Sequence, residues 1–192
     1  MPFTLEIGQK AVPFELLATD NKTYCLDDFR SNILVIFFTC NHCPYVTGSD
    51  EETRKTVERF REENVQFIGI NSNSKNTYEE DSFENMMIRM KEQDFPWYYL
   101  HDPEQITALN YGALKTPHFF IFNQERNLVY TGRGVDSPLD SSKIKVNNLE
   151  LALDELTSND LISIPITNPI GCSIKWEGRD SRWMPPEACD LL

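Results

Sequence analysis

No apolar stretch in this 192-residue chain approaches the roughly 20 residues that a membrane-spanning helix needs, so no membrane role is expected. The start, "MPFTLEIGQKAVPF", lacks the basic segment and the apolar run of a secretory signal, and a cytoplasmic location is the expectation. No cluster of lysine and arginine is present to overturn locally a formal charge of -12, which repels phosphate backbones and argues against nucleic acid. Internal repeats and low-complexity linkers are missing too. The five cysteines are an odd number in a chain without an export signal, which excludes a disulfide framework as the first reading and leaves reduced thiols, redox centres or metal ligands.

What remains is the composition of an ordinary soluble domain, 40% hydrophobic and 25% charged, in a length that suits one core. Phe14 to Leu17 and Thr23 to Leu26 flank the polar turn Thr19-Asp20-Asn21-Lys22 and read as a hairpin. "NILVIFFT", Asn32 to Thr39, is apolar almost throughout, as a central strand covered on both faces must be. Residues 44–63, with Glu51 four before Lys55 and Val57 three before Phe60, read as one amphipathic helix crossing to a second buried strand, "VQFIGINS".

Ser82 with Asn85 opens a helix whose Phe83, Met86, Met87 and Met90 form a core stripe. "FPWYYLHD" is a short strand. Asp102 then caps a helix with Pro103 at its first position, ending near Gly112. "HFFIFN" and "LVYTG" form a hairpin around Asn123 to Asn127, and Val146, Leu149, Leu153 and Leu156 line a closing helix. This order describes an α/β three-layer sandwich over residues 1–158, with an N-terminal hairpin extension and a proline-rich tail, residues 159–192, laid on the same domain.

The chemistry concentrates in "FFTCNHCPY". Cys40 follows the central strand, at the carboxyl end where α/β proteins gather reactive groups, and a helix start there favours a thiolate over a thiol. The expectation is an exposed, nucleophilic Cys40 of lowered pKa, with a covered Cys43 three residues on and on the same side of the first helical turn. Pro44 suits that first turn, where its missing N–H had no partner. His42 lies between the sulfurs and stabilises the reduced pair by charge or by a hydrogen bond, so Asn41-His42 is one place where the redox potential is set.

A strand ending in Cys40-Asn41-His42-Cys43, with "KTPHFFIF" far downstream, resembles the thioredoxin fold, whose members carry a cis proline opposite the cysteines. By that resemblance Pro117 is the proline, preceded by Thr116. "FTCNHCPY", "INSN", "EDSFENM", "YGALKTP" and "GCSIKW" together resemble the thioredoxin-like proteins of the alkyl hydroperoxide reductase/thiol-specific antioxidant group, over most of residues 12–176. The resemblance implies thiol-disulfide oxidoreductase or isomerase activity without a cofactor. Disulfide- or dithiol-containing proteins or peptides would be the partners, together with a thiol reductant. Cys40 would be the nucleophile and Cys43 the resolving thiol, and the Thr116-Pro117 backbone would offer an edge on which an extended partner segment pairs. Thioredoxin has tryptophan before its first cysteine and Gly-Pro between the two, where this chain has Thr39 and Asn41-His42. A histidine just before the second cysteine resembles protein disulfide isomerases, so a potential above about -270 mV is expected.

Other readings stand beside this one. Zinc would need two ligands besides the pair, from Cys172, Cys189, His101 or His118, none of which shows a second close spacing. Copper-delivery proteins of this fold space their cysteines by three, not two. A peroxiredoxin-like peroxidase requires Pro-x-x-x-Thr/Ser-x-x-Cys, but positions 33 and 37 are Ile and Phe. Cys172 in "GCSIKW" is either a third redox thiol reaching back to the pair or a buried packing residue. Cys25 and His118 read as packing, Cys189 as a thiol without a role, His101 as a surface or capping residue, and Arg133 as solvated rather than orienting an anionic partner.

Overall fold

The structure, a computed structural model, describes residues 4–178. Nine strands and five α-helices follow one another along the described residues. They are β1 (Glu15–Ala18), β2 (Thr23–Cys25), β3 (Ile33–Thr39), α1 (Pro44–Thr47), α2 (Asp50–Arg59), β4 (Val65–Asn71), α3 (Phe83–Gln93), β5 (Tyr98–His101), α4 (Ile106–Tyr111), β6 (Lys115–Thr116), β7 (His118–Phe122), β8 (Leu128–Gly132), α5 (Asn148–Thr157) and β9 (Cys172–Ser173). Seven strands form one sheet in the order β2-β1-β5-β4-β3-β7-β8, and β6 pairs separately with β9. No helix among the described residues is long and apolar enough to cross a membrane.

The continuous apolar run of β3 earns its place inside the sheet. It pairs in parallel with β4, Ile33 opposite Val65 through Thr39 opposite Asn71, and antiparallel with β7 on its other edge. Side chains alternate across a strand, so its residues feed two cores. Leu34, Ile36 and Phe38 join Ile68, Ile70, Tyr111 of α4, Phe14 and the tail residues Ile174 and Trp176. Ile33, Val35 and Phe37 join Val57 of α2, Met86 of α3 and Leu149 and Leu153 of α5. Helices thus cover both faces of the sheet, as an α/β sandwich requires.

Several expected elements shift. The helix expected over residues 44–63 is two helices, with Gly48 and Ser49 between them, and Gly48 lies so close to the Pro138 and Pro44 carbonyl oxygens that a Cβ there would overlap both. The Glu51–Lys55 pair is not made; Lys55 reaches Glu52 at 2.7 Å and Arg54 faces Glu51 at 3.6 Å. The helix expected from Asp102 begins at Ile106 after a left-handed Gln105, yet the Asp102 carboxylate still accepts from the N–H groups of Thr107 and Ala108. Val146 precedes α5 and is exposed. Residues 159–178 of the expected tail lie on the domain and the rest fall outside the described residues; β9 against β6 is a pairing with no periodic signal in sequence, since two-residue strands have no period to read.

Candidate active site

β3 and β4 run in parallel and end together at Thr39 and Asn71, so the residues that follow converge at one end of the sheet. Cys40 is the first residue beyond β3. Residues 41 and 42 make a bend, Cys43 is the N-cap of α1, and Pro44 opens that helix as expected. The Thr116-Pro117 bond, cis as the resemblance implied, lies across from the pair. Cys40 Sγ is 3.4 Å from Thr116 Oγ1, and Cys43 Sγ is 3.2 Å from the Thr116 carbonyl oxygen. Cys25, Cys40, Cys43 and Cys172 are all free thiols.

Two expectations about the pair are corrected. Cys40 is not exposed: both cysteines have 0% of their surface accessible. Nor does the helix start serve Cys40, because α1 begins one residue after Cys43 and Cys43 is its N-cap, its carbonyl oxygen accepting from the Val46 N–H at 3.0 Å. Accordingly the Cys43 thiol is lowered, first by a hydrogen bond from Cys40 and then, against the cost of burial, by the Cys172 side chain and backbone and by Val46. Burial pushes the Cys40 thiol up, reinforced by its hydrogen bond to Cys43 and by the Asp81 charge. Of the two buried thiols, Cys43 ionises first.

The dipeptide between the cysteines is held by a residue the sequence reading did not single out. Asp81, fully buried, accepts from the Asn41 N–H at 2.7 Å, from the Asn73 amide at 2.8 Å, and pairs with His42 Nδ1 at 2.6 Å. The His42 ring stacks on Tyr78, centroids 3.9 Å apart. Asn41 also donates to the Glu80 carbonyl and accepts from the Tyr99 hydroxyl at 2.8 Å. Arg89 of α3 donates to the Cys40 carbonyl at 2.8 Å while bonding to Asp50. Asp81 lies in the acidic run "YEEDSFE", just before the Ser82 expected to open the helix. The available clue was "INSN": three polar residues ending a buried strand must find partners, and Asn71 and Asn73 find Asp81.

The Thr116 edge, expected to be open to a partner, is filled by the chain itself: β9 pairs there, Thr116 opposite Cys172 and Lys115 opposite Ser173. Cys172, partly exposed, packs on the cluster of Cys40, Cys43 and Val46. The remaining candidates stand apart. His118 is buried, its Nδ1 accepting from the Leu114 N–H and its Nε2 facing Thr131, and burial lowers its pKa to about 3. His101 stacks on Phe83, Arg133 donates to Asn148 at 2.8 Å, and Cys25 ends β2 in the outer hairpin. Cys189 lies outside the described residues. Cys40, His42 and Asp81 each offer one donor atom, all within 4.8 Å of one another, a set that could hold a metal ion.

A seven-stranded mixed sheet with helices on both faces, a Cys-x-x-Cys beyond its central strand and a cis proline opposite define a thioredoxin-like fold. The Redoxin family model matches residues 6–150, and the chain belongs to that family, within the alkyl hydroperoxide reductase/thiol-specific antioxidant group. A solved structure of an uncharacterized conserved protein from Geobacillus kaustophilus is 35% identical, with a TM-score of 0.85 over 91% of this chain and 94% of that one. The thioredoxin domain of a thiol-disulfide oxidoreductase from Bacteroides vulgatus shares the fold at 13% identity and TM-score 0.63, covering 80% of this chain and 99% of its own. A peroxidoxin from Mycobacterium tuberculosis does so at 16% and 0.58, covering 80% and 95%. No protein of curated function matches the chain.

Proposed function

We propose that this Redoxin-family protein is a thiol-disulfide oxidoreductase that exchanges disulfides with protein or peptide partners through Cys40 and Cys43. The observation that carries the reading is a pair of hydrogen-bonded free thiols, both against Thr116, of which one is lowered and the other raised. One thiolate attacks and the second thiol resolves, which is what the two steps of exchange need. Two electrons leave the pair, a partner disulfide becomes two thiols, and Cys40–Cys43 closes as a disulfide that a thiol reductant reopens. The lowered Cys43 stabilises the reduced state, which supports a potential above about -270 mV. Equilibration with glutathione buffers should place it there.

The test is reduction of a peptide disulfide by the purified, reduced protein. Peptide reduction should be lost in Cys43→Ser, and mapping should find Cys40–Cys43 in the oxidised wild type. Full activity in Cys43→Ser, or an oxidised wild type without the Cys40–Cys43 bond, would refute the assignment. The three donors of Cys40, His42 and Asp81 favour a second reading, a metal-holding module. Stoichiometric metal on the purified protein, with the thiols unreactive until it is stripped, would select that reading. Consumption of hydrogen peroxide with a thiol donor would instead select a peroxidase.

A further inference from the structure

A buried pair poses an access problem. Neither Cys40 nor Cys43 has accessible surface, and the edge on which a partner would pair is taken by β9. The segment that takes it carries a cysteine. Cys172 stands in register opposite Thr116, whose carbonyl oxygen lies 3.2 Å from Cys43 Sγ, and it packs against Cys40, Cys43 and Val46. Unlike the pair, it is partly exposed.

This placement is built from several sides. Gly171 passes so close to Thr116 that a Cβ would overlap its carbonyl oxygen, so only glycine lets Cys172 come this near. Beyond it, the Ile174 N–H donates to the Leu114 carbonyl, and the Lys175 N–H donates to Asn73 Oδ1 at 2.9 Å. The Lys175 carbonyl accepts from the Ser74 N–H and from the Gln105 amide. Asn73 therefore ties the strand to Asp81, and through Asp81 to the dipeptide between the cysteines. Cys43 is the middle thiol: its sulfur lies against the carbonyl of Thr116, the residue that Cys172 pairs with and that Cys40 faces, and both Cys40 and Cys172 shift its ionisation.

We infer that Cys172 is a third redox thiol, the partner-facing sulfur of a three-cysteine relay in which Cys43 is the middle thiol and Cys40 the inner one. The inference rests on the oxidoreductase reading above and changes which sulfur meets the partner. Cys172 passes its proton to the Cys43 thiolate and attacks a partner disulfide, forming a mixed disulfide and expelling the first partner thiolate, which takes that proton. The Cys43 thiolate then attacks the Cys172 sulfur, closing Cys43–Cys172 and expelling the second partner thiolate, which takes the proton of Cys40. The Cys40 thiolate attacks Cys43, leaving Cys40–Cys43 oxidised and Cys172 as the released thiolate. The partner gains two electrons and both protons, and every bond broken is matched by one formed. In reverse the relay oxidises a dithiol.

The experiment follows the cysteines in the full-length reduced protein, challenged with a peptide disulfide, acid-quenched, alkylated and mapped by mass spectrometry. In Cys43→Ser the peptide should be trapped on Cys172. In Cys40→Ser the oxidised product should be Cys43–Cys172. Cys172→Ser, checked for an unchanged urea midpoint, should slow peptide-disulfide reduction at least tenfold. A trap on Cys40, no trap at all, or no Cys43–Cys172 bond in Cys40→Ser overturns the relay, and so does a folded Cys172→Ser that reduces the peptide at the wild-type rate. These results bear on the relay alone if the wild type reduces the peptide; a wild type that reduces nothing sinks the oxidoreductase reading itself.

Discussion

At the scale of single residues, Asp81 and His118 are two buried polar groups with opposite meanings. Asp81 satisfies three donors at once, so removing it strands the Asn41 N–H, the His42 ring and the Asn73 amide. Each stranded buried group costs about 1–3 kcal/mol. Asp81→Ala should therefore lose about 3 kcal/mol or more in urea unfolding, and a loss under about 1 kcal/mol would show that water replaces the carboxylate readily. His118 is a satisfied core histidine. The unfolded chain takes up its proton near pH 6.5, but the buried ring resists it down to about 3. Below pH 6.5 the unfolded state thus binds more protons, and this residue's contribution to stability falls as the pH drops through that window, by about 1.4 kcal/mol per unit. Between pH 6.5 and 4.5 that amounts to about 2–3 kcal/mol. His118→Gln should remove this part of the acid sensitivity, read as a flatter plot of unfolding free energy against pH.

At the scale of elements, the decisive contact is between two of the shortest strands. β6 and β9 have two residues each, and their approach depends on Gly171 having no side chain. Gly171→Ala should force them apart, cost about 1–3 kcal/mol as overpacking does, and speed alkylation of Cys172 in the folded protein at least tenfold. Unchanged alkylation would mean that the pairing tolerates a methyl group. A close contact of the same kind sits between α1 and α2. Gly48 meets the carbonyl of Pro138, a residue far along the chain, so the helical pattern of residues 44–63 is legible locally while its break is not. By contrast β3, β4 and the β7–β8 hairpin could be read directly, because a strand buried on both faces must be apolar at every position.

At the scale of the whole molecule, the described part of the tail supplies core residues. Ile174 and Trp176, 3% and 7% exposed, pack with Phe14, Leu34 and Tyr111 on the α4 face of the sheet. Ending the chain after residue 170 should remove on the order of 5 kcal/mol, a large part of the 5–15 kcal/mol that holds a typical domain folded. A urea midpoint within error of the full chain would contradict this. The segment that supplies these core residues also carries Cys172, so folding the tail and placing the third thiol are one event.

By itself the sequence determined the sandwich and the place of Cys40, Cys43 and Pro44 beyond its central strand, while Pro117 opposite them came from the family resemblance. The first features follow from local rules: apolar runs demand burial, proline suits a helix's first turn, and two cysteines separated by two residues share one corner. Only the tertiary structure decided which sulfur ionises first, that Asp81 holds the dipeptide, and that Cys172 occupies the edge a partner was expected to use. Burial, hydrogen bonding and charge at a thiol are summed over residues scattered from position 40 to position 175, and nothing in a linear chain records which of them will be neighbours.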